Sequence, residues 1–294
     1  VKKAEVEVNE TPSTRIAALE ELKLAIKEEK GFNPLMDEEF LLRFLRAKKF
    51  EINRAFNTLK NYYDFKHRYS GDITDFLPND LKNVFETDKV LASPKRGFDG
   101  EGILIISAGT FNIDKFTPEQ LFATTLVTAE IGIEAEFAQV CGCRIIFDLG
   151  GITWWKMKHY VNPSFIGGVL KAIQDVMPIR ICGLHVVNEP VYFTCAYQTI
   201  KPILSKKLKE RVHFHGSNLK SLHKLIPQGA LTEELGGFVG KNDFKHFRNI
   251  IFQNNDLMER INSYTYNGKK SRYQRNINPG KKETTRTLFN ISVV

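Results

Sequence analysis

The 294-residue chain has no apolar run of about eighteen residues, the minimum for a helix that crosses a bilayer. Cysteine is scarce. Cys141, Cys143, Cys182 and Cys195 are the whole complement, too few for a disulfide-stapled secreted scaffold. The Cys141-Gly142-Cys143 spacing is wrong for a zinc knuckle or a redox pair. All four therefore read as reduced thiols of a cytosolic protein. The opening residues, Val1-Lys2-Lys3-Ala4-Glu5, hold no apolar core of a secretory signal. Catalytic signatures are missing too. There is no Gly-x-Ser-x-Gly nucleophile elbow. Gly97, Gly100 and Gly102 precede a strand instead of following one, which suits a hairpin turn and not a phosphate-binding loop. His213 and His215 alternate on one strand face, with no third metal ligand near them in sequence. Asp148, His185 and Glu189 lie at or near strand ends, where structural hydrogen bonding accounts for them. The expectation is a non-enzymatic protein with no catalytic residue, no metal and no cofactor.

What is present is an ordinary globular composition, 42% apolar and 26% charged. The length holds one large domain and a small one. The net charge of +8 would by itself suit a nucleic-acid partner. Its placement argues otherwise. From Asn267 onward Lys269, Lys270, Arg272, Arg275, Lys281, Lys282 and Arg286 stand against Glu283 alone and supply six of the eight net charges. The body of the chain is nearly neutral and a tail is basic. Such a tail suits any anionic surface, or a solvated end with no partner. No nucleic-acid partner is expected of the fold.

Residues up to about Ser70 read as helical. Ile16, Leu19, Leu22 and Ile26 recur at helical spacing between Thr14 and Lys30, and Gly31 stops the run. Asp37 can cap a second helix with Phe40, Leu41, Phe44 and Leu45 on one side. A third starts near Ile52. The period then changes. Ile103 to Ile106 is a continuous apolar strand, so both of its faces are covered. Thr117-Pro118 opens a helix to about Ala138, and Cys143 to Asp148 is the next strand. Asn162-Pro163 opens a helix with a wide apolar face, ended by Pro178. Gly183 to Val187 reads as strand, Val191 to Arg211 as helix and Val212 to His215 as strand. This alternation predicts an α/β fold with a largely parallel sheet. A further helix spans about Phe244 to Ile261, and the last thirty or so residues read as poorly ordered. The expected domains are 1–72, a small helical bundle; 73–240, the α/β body; and 241–294, a helix with the basic tail.

The run from Gly183 to Pro190 is the most informative. It is a buried strand that stops at a proline and delivers into an apolar helix. Lys206-Lys207-Leu208-Lys209-Glu210-Arg211 then forms a basic helix end that feeds another strand. That order suggests a gated apolar cavity beside a charge that faces a membrane.

Several stretches carry a family resemblance. They are Phe40 to Phe50 (FLLRFLRAKKF), Leu59 to Tyr63, Ile146 to Leu149, Leu184 to Pro190 (LHVVNEP), Lys209 to Gly216 and Leu235-Gly236-Gly237. In this order, from roughly Pro34 to Gly240, the chain resembles the CRAL-TRIO lipid-binding proteins. Within them it is most similar to the branch of the α-tocopherol transfer protein, retinaldehyde-binding protein and clavesins. The resemblance implies a CRAL-TRIO fold: a sheet flooring an apolar cavity, flanking helices, and a lid helix here spanning Val191 to about Leu204. Pro202 removes a helical hydrogen bond and should bend or break that lid. The cavity wall so implied takes Phe122, Thr125 and Ala129 from one helix, and Cys143 and Phe147 from a strand. Val161, Phe165, Val169, Ala172, Ile173 and Met177 follow on the next helix, and Ile179, Leu184, Phe193 and Ala196 complete it. Thr125 is the one hydroxyl partner among them. A phosphoinositide-binding cluster is implied at Arg180, Lys207 and Arg211, although Cys182 and Asn57 stand where the pattern has arginines.

The function implied is binding and transfer of a tocopherol-, retinoid- or carotenoid-like lipid between membranes, the lid opening at an anionic, phosphoinositide-containing surface. The protein would be a monomer, cytoplasmic and peripheral on endosomal or other anionic membranes. The rival is a phosphoinositide-reading trafficking or signalling adaptor that carries nothing. No residue supports a lipid-modifying enzyme.

Overall fold

The structure, a computed structural model, describes residues 2–266; the basic segment after Tyr266 lies outside the described residues. Four helices come first: Lys2–Val8, Pro12–Glu28, Glu38–Ala47 and Ile52–Arg68. The second opens on a capping box. Thr11 accepts from the Thr14 backbone N–H at 3.1 Å, and Thr14 Oγ1 accepts from the Thr11 N–H at 2.7 Å, with Pro12 in the first turn. Asp37 caps the third by accepting from Phe40 N–H at 3.2 Å. The Glu38–Ala47 helix buries Phe40, Leu41, Leu42, Phe44 and Leu45, and also Arg43 and Arg46. Their three-residue spacing puts both guanidinium groups on one side. Arg46 grips both Glu10 carboxylate oxygens at 2.7 and 2.8 Å and Gln139 at 2.7 Å. Arg43 lies 3.4 Å from Glu130 and also pairs with Glu134. Buried charge is tolerated when paired, so these arginines fasten the bundle to the helices that follow.

Seven strands are present among the described residues: β1 Phe32–Asn33, β2 Val90–Ala92, β3 Gly102–Ser107, β4 Cys143–Asp148, β5 Ile181–Val187, β6 Val212–Phe214 and β7 Thr265–Tyr266. Five of them form the main sheet in the order β2-β3-β4-β5-β6. Strands β3 to β6 are parallel. β2 runs antiparallel to β3, joined by the turn that holds Gly97 and Gly100. There Gly97 N–H donates to Glu101 O at 2.8 Å, and Gly100 adopts φ +87°. β1 and β7 form a separate antiparallel pair.

The parallel strands follow one another in chain order. Right-handed crossovers then all pass over the same face of the sheet. They are Pro118–Ile133 with Glu136–Cys141; Trp154–Tyr160 with Pro163–Lys171 and a π-helical turn at Ala172–Val176; and Phe193–Ile200, a 3-10 turn at Lys201–Ile203, and Lys206–Lys209. Three expected helices are divided. The one expected from Pro118 to Ala138 breaks where Ala135 turns extended. The one expected from Val191 to Arg211 is three short pieces, because Pro202 has no N–H to donate and Leu204 goes extended before Ser205 caps the last piece. The expected C-terminal helix is Lys241–Gln253 followed by Asn255–Asn262. One continuous core joins the N-terminal bundle, the sheet and these last helices through Phe247, Ile251, Met258 and Ile261. The class is α/β with a largely parallel sheet, as the alternation indicates.

Candidate functional site

Strand register sorts the sheet into two faces. Leu104, Ile145, Leu184 and Val212 lie side by side; Ile106, Phe147, Val186 and Phe214 form the next row. Alternation puts these rows, and Cys143, on one face. The crossovers cover it: the Phe214 ring sits 6.0 Å from Phe193 and 4.7 Å from Tyr197 of the lid segment. The opposite face holds Ile103, Ile105, Ile146, His185 and Val187. The faces are closed to different degrees. Leu104, Ile106, Cys143, Ile145, Leu184 and Val186 each keep 5–7% of their surface accessible, whereas Ile103, Ile105, Ile146 and Val187 keep 0–2%.

All three strand positions expected in the cavity wall, Cys143, Phe147 and Leu184, therefore belong to the helix-covered face. Phe122 and Phe165 meet edge to face at 6.1 Å, which brings together the two helices expected to wall the cavity. Phe122, Thr125, Phe165, Ala172, Met177 and Ala196 are buried. Ala129, Phe147, Val161, Val169, Ile173, Ile179 and Phe193 are half-buried and pack against the core. Thr125 donates its hydroxyl proton to Leu121 O at 2.9 Å, so what it can offer a guest is an acceptor lone pair. Burial pushes the Cys143 thiol up to about 12, so it stays protonated. A cavity of about 30 Å³, enough for one water, touches Met177 and is otherwise lined by residues such as Tyr62, Lys66, Asp75, Glu130 and Asn262. A surface cleft of about 430 Å³ lies over Thr117, Glu119, Trp155, Lys158, His159 and Asn162. The second cleft includes none of the expected wall residues.

The lid is held at its start and over Phe214. Tyr192 donates its hydroxyl to Ile152 O at 2.6 Å, and its ring meets Trp154 at 5.6 Å. Ala196 and Leu204 are its buried side chains, while Val191 is almost wholly exposed, as are in good part Trp154 and Trp155. The polar residues at the strand ends brace the approach to the lid. Asp148 accepts from Gly150 N–H and Asn188 Nδ2, both at 2.9 Å. Glu189 accepts from Gly216 N–H at 2.9 Å. On the far face His185 Nδ1 lies 3.1 Å from His215 Nε2, and His215 Nδ1 lies 2.6 Å from Ser221 Oγ. Arg144 beside them donates to Glu101 at 2.7 Å. Burial, then the neighbouring His213, His215 and Arg144, hold His185 down at about 3, so it is neutral. His213 stacks on His185 at 5.0 Å. Among the described residues no three His, Cys, Asp or Glu side chains converge as a metal site.

The expected cations do converge. Arg180 donates to Val140 O and pairs with Glu7 at 3.0 Å. Arg211 donates to Ile181 O. Partial burial lowers Lys207, and so do the positive charges of Arg211, Arg54, Arg180 and Lys49. Lys49 and Arg54 come from the N-terminal bundle and sequence reasoning missed them. One signal was available: Arg54 sits a helical turn before Asn57, the position at which a cation is missing. The Cys182 thiol donates to Cys141 O at 3.2 Å.

Comparison with known proteins agrees with this architecture. The family described as CRAL/TRIO domain matches residues 87–237, and its CRAL/TRIO, N-terminal domain matches residues 17–61. The chain is 32% identical to the Homo sapiens alpha-tocopherol transfer protein-like over 257 residues, 87% of this chain and 75% of that protein. It is 30% identical to Clavesin-2 of Rattus norvegicus over 247 residues, 83% of this chain and 75% of that one. The crystal structure of Sfh5 covers 90% of this chain and 96% of its own, with a TM-score of 0.52 at 14% identity, a likeness of fold. By these matches, and by the ordered motifs now seen on one sheet and its crossovers, the chain belongs to the CRAL/TRIO family.

Proposed function

We propose that this protein binds one hydrophobic small molecule, a tocopherol-, retinoid- or carotenoid-like lipid, and transfers it between membranes unchanged. The observation that carries the reading is the unequal closure of the sheet's aliphatic side chains: those under the crossovers keep residual access, and those on the other face do not. One of the similar proteins is named for its likeness to a tocopherol transfer protein, which fits. The energetics suffice. A lipid that buries about 400 Å² gains on the order of 10 kcal/mol before the costs of association. Few polar contacts are then needed, and Thr125 as an acceptor suits a guest with a single hydroxyl. The lid from Val191 to about Leu204 opens where its apolar residues can exchange Phe214 for a bilayer. Arg180, Lys207 and Arg211 orient that event on an anionic, phosphoinositide-containing surface. The carrier is cytoplasmic, a monomer and peripheral on membranes, endosomal ones among them.

Native mass spectrometry of protein purified from its source is the test. One lipid per chain is expected. Leu184→Trp and Val169→Trp should lose it while melting cooperatively. A protein that emerges bare and extracts nothing from vesicles loaded with tocopherol, retinal or carotenoid would refute the reading. The cation cluster supports a second one, a membrane adaptor. It would gain if vesicle binding needs the three cations, survives Leu184→Trp, and never accompanies lipid uptake.

A further inference from the structure

The N-terminal helix Lys2–Val8 belongs to neither the bundle core nor the sheet. Its buried side chains, Ala4 and Val8, pack on Val140 in a small cluster of their own. Behind it the chain is fixed hard: Asn9 takes a left-handed turn at φ 65° and Glu10 is clamped in two places by buried Arg46. The helix is thus a short strap, tied near its start where Lys3 Nζ donates to Asp99 O and anchored firmly behind by Glu10. Its inner face carries a carboxylate into the cationic cluster. Glu7 Oε2 lies 3.0 Å from Arg180 Nη2, with the Glu7 side chain 37% and the Arg180 side chain 17% exposed. Among the described residues no other carboxylate is ion-paired with Arg180, Lys207 or Arg211.

We propose that this helix is an autoinhibitory strap, in which Glu7 occupies on Arg180 the place that a phosphate of an anionic headgroup would take. The inference rests on the reading of Arg180, Lys207 and Arg211 as a headgroup site. A phosphate monoester carries up to two charges and three acceptor oxygens against the single charge of Glu7. It wins the exchange, but only by first undoing the ion pair. A half-exposed pair is weak, and the Ala4–Val8–Val140 patch is small, so the strap tunes affinity instead of abolishing it. It also separates two states of the protein: helix down with Arg180 neutralised in solution, helix released with Arg180 on a membrane phosphate.

The test is cosedimentation with phosphatidylcholine vesicles containing a few per cent phosphatidylinositol bisphosphate, repeated with soluble inositol trisphosphate by calorimetry. Glu7→Gln should tighten both by about two- to fivefold, the size of a weak ion pair. Val8→Asp, which unseats the helix without touching Arg180, should give a similar gain. A gain on vesicles with none for the soluble phosphate would mean that the helix only shields the surface, and would overturn the exchange. Unchanged or weaker binding by Glu7→Gln, while the combined Arg180→Ala, Lys207→Ala and Arg211→Ala variant loses binding, would overturn the strap and leave the headgroup site standing. Equal binding by that triple variant and the unmodified chain would remove the headgroup site itself.

Discussion

On the far face of the sheet, Ile103, Ile105, Ile146 and Val187 are closed to within 2%, and His185 is locked to His215 and onward to Ser221. On the crossover face, residues of the same size and chemistry, Leu104, Ile106, Ile145 and Val186, are left slightly open. No buried polar side-chain network interrupts their rows. One side is finished as a protein interior, at the density that makes every methylene count, with a polar network that fixes its arrangement. The other has slack and no directional groups, which suits a guest held by area and not by geometry. The same strands serve both purposes because alternation hands every second residue to each side.

The sharpest way to break this comparison is to truncate neighbours in one strand. Ile146→Ala, on the sealed face, should cost about 3–4 kcal/mol, in the upper range for buried aliphatics that cannot collapse. Ile145→Ala, one residue away on the crossover face, should cost about 2 kcal/mol. Urea unfolding of the lipid-free protein reads both. Equal losses would mean that the two faces are packed alike and that the difference in accessibility has no energetic content.

Acid probes the sealed face. Neutral His185 titrates at about 3 in the fold, against about 6.5 in an unfolded chain. Between those values the unfolded state takes up a proton that the folded state refuses, so stability falls as pH drops below 6.5 and goes on falling to about 3. At pH 5 the loss from this group is on the order of 2 kcal/mol. His213 and His215 are lowered too and act in the same direction. Comparing the pH 7 and pH 5 unfolding midpoints of the unmodified chain and His185→Gln isolates the effect. The variant should lose most of the difference; an unchanged difference would place the acid-sensitive group elsewhere.

Much of this arrangement was legible in the sequence because it is local. The continuous Ile103–Ile106 run announced a strand covered on both sides, and the prolines at 118 and 163 announced the crossovers that cover one of them. The family resemblance set Cys143 and Phe147 together, and Pro202 foretold the broken lid. What was illegible depends on partners far along the chain. β1 and β7 are two residues each and lie more than two hundred residues apart, so neither carries a periodic signal. Trp154–Tyr160 buries Met157 alone and shows no apolar stripe. Glu7 meets Arg180 across 173 positions, and Lys49 and Arg54 reach Lys207 from another layer. A surface charge has no pattern of its own until the fold supplies its neighbour.

The smallest effect sharpens the comparison at its edge, where the crossover face meets the lid. Phe214 ends a row of that face and is 43% exposed, yet it holds Phe193 and Tyr197 by ring contacts. Such aromatic contacts are worth roughly 0.5–1.5 kcal/mol each beyond burial. Phe214→Ala should therefore change global stability by no more than about 1 kcal/mol, since the lid buries only Ala196 and Leu204 and can loosen locally without unfolding the sheet. If lid release limits transfer, the same loss should speed delivery of a fluorescent lipid to acceptor vesicles by about two- to tenfold. Stopped-flow dequenching measures that rate directly. A variant that melts like the unmodified chain and delivers no faster would show that the lid is not what the guest waits for, and that the openness of this face is a property of packing alone.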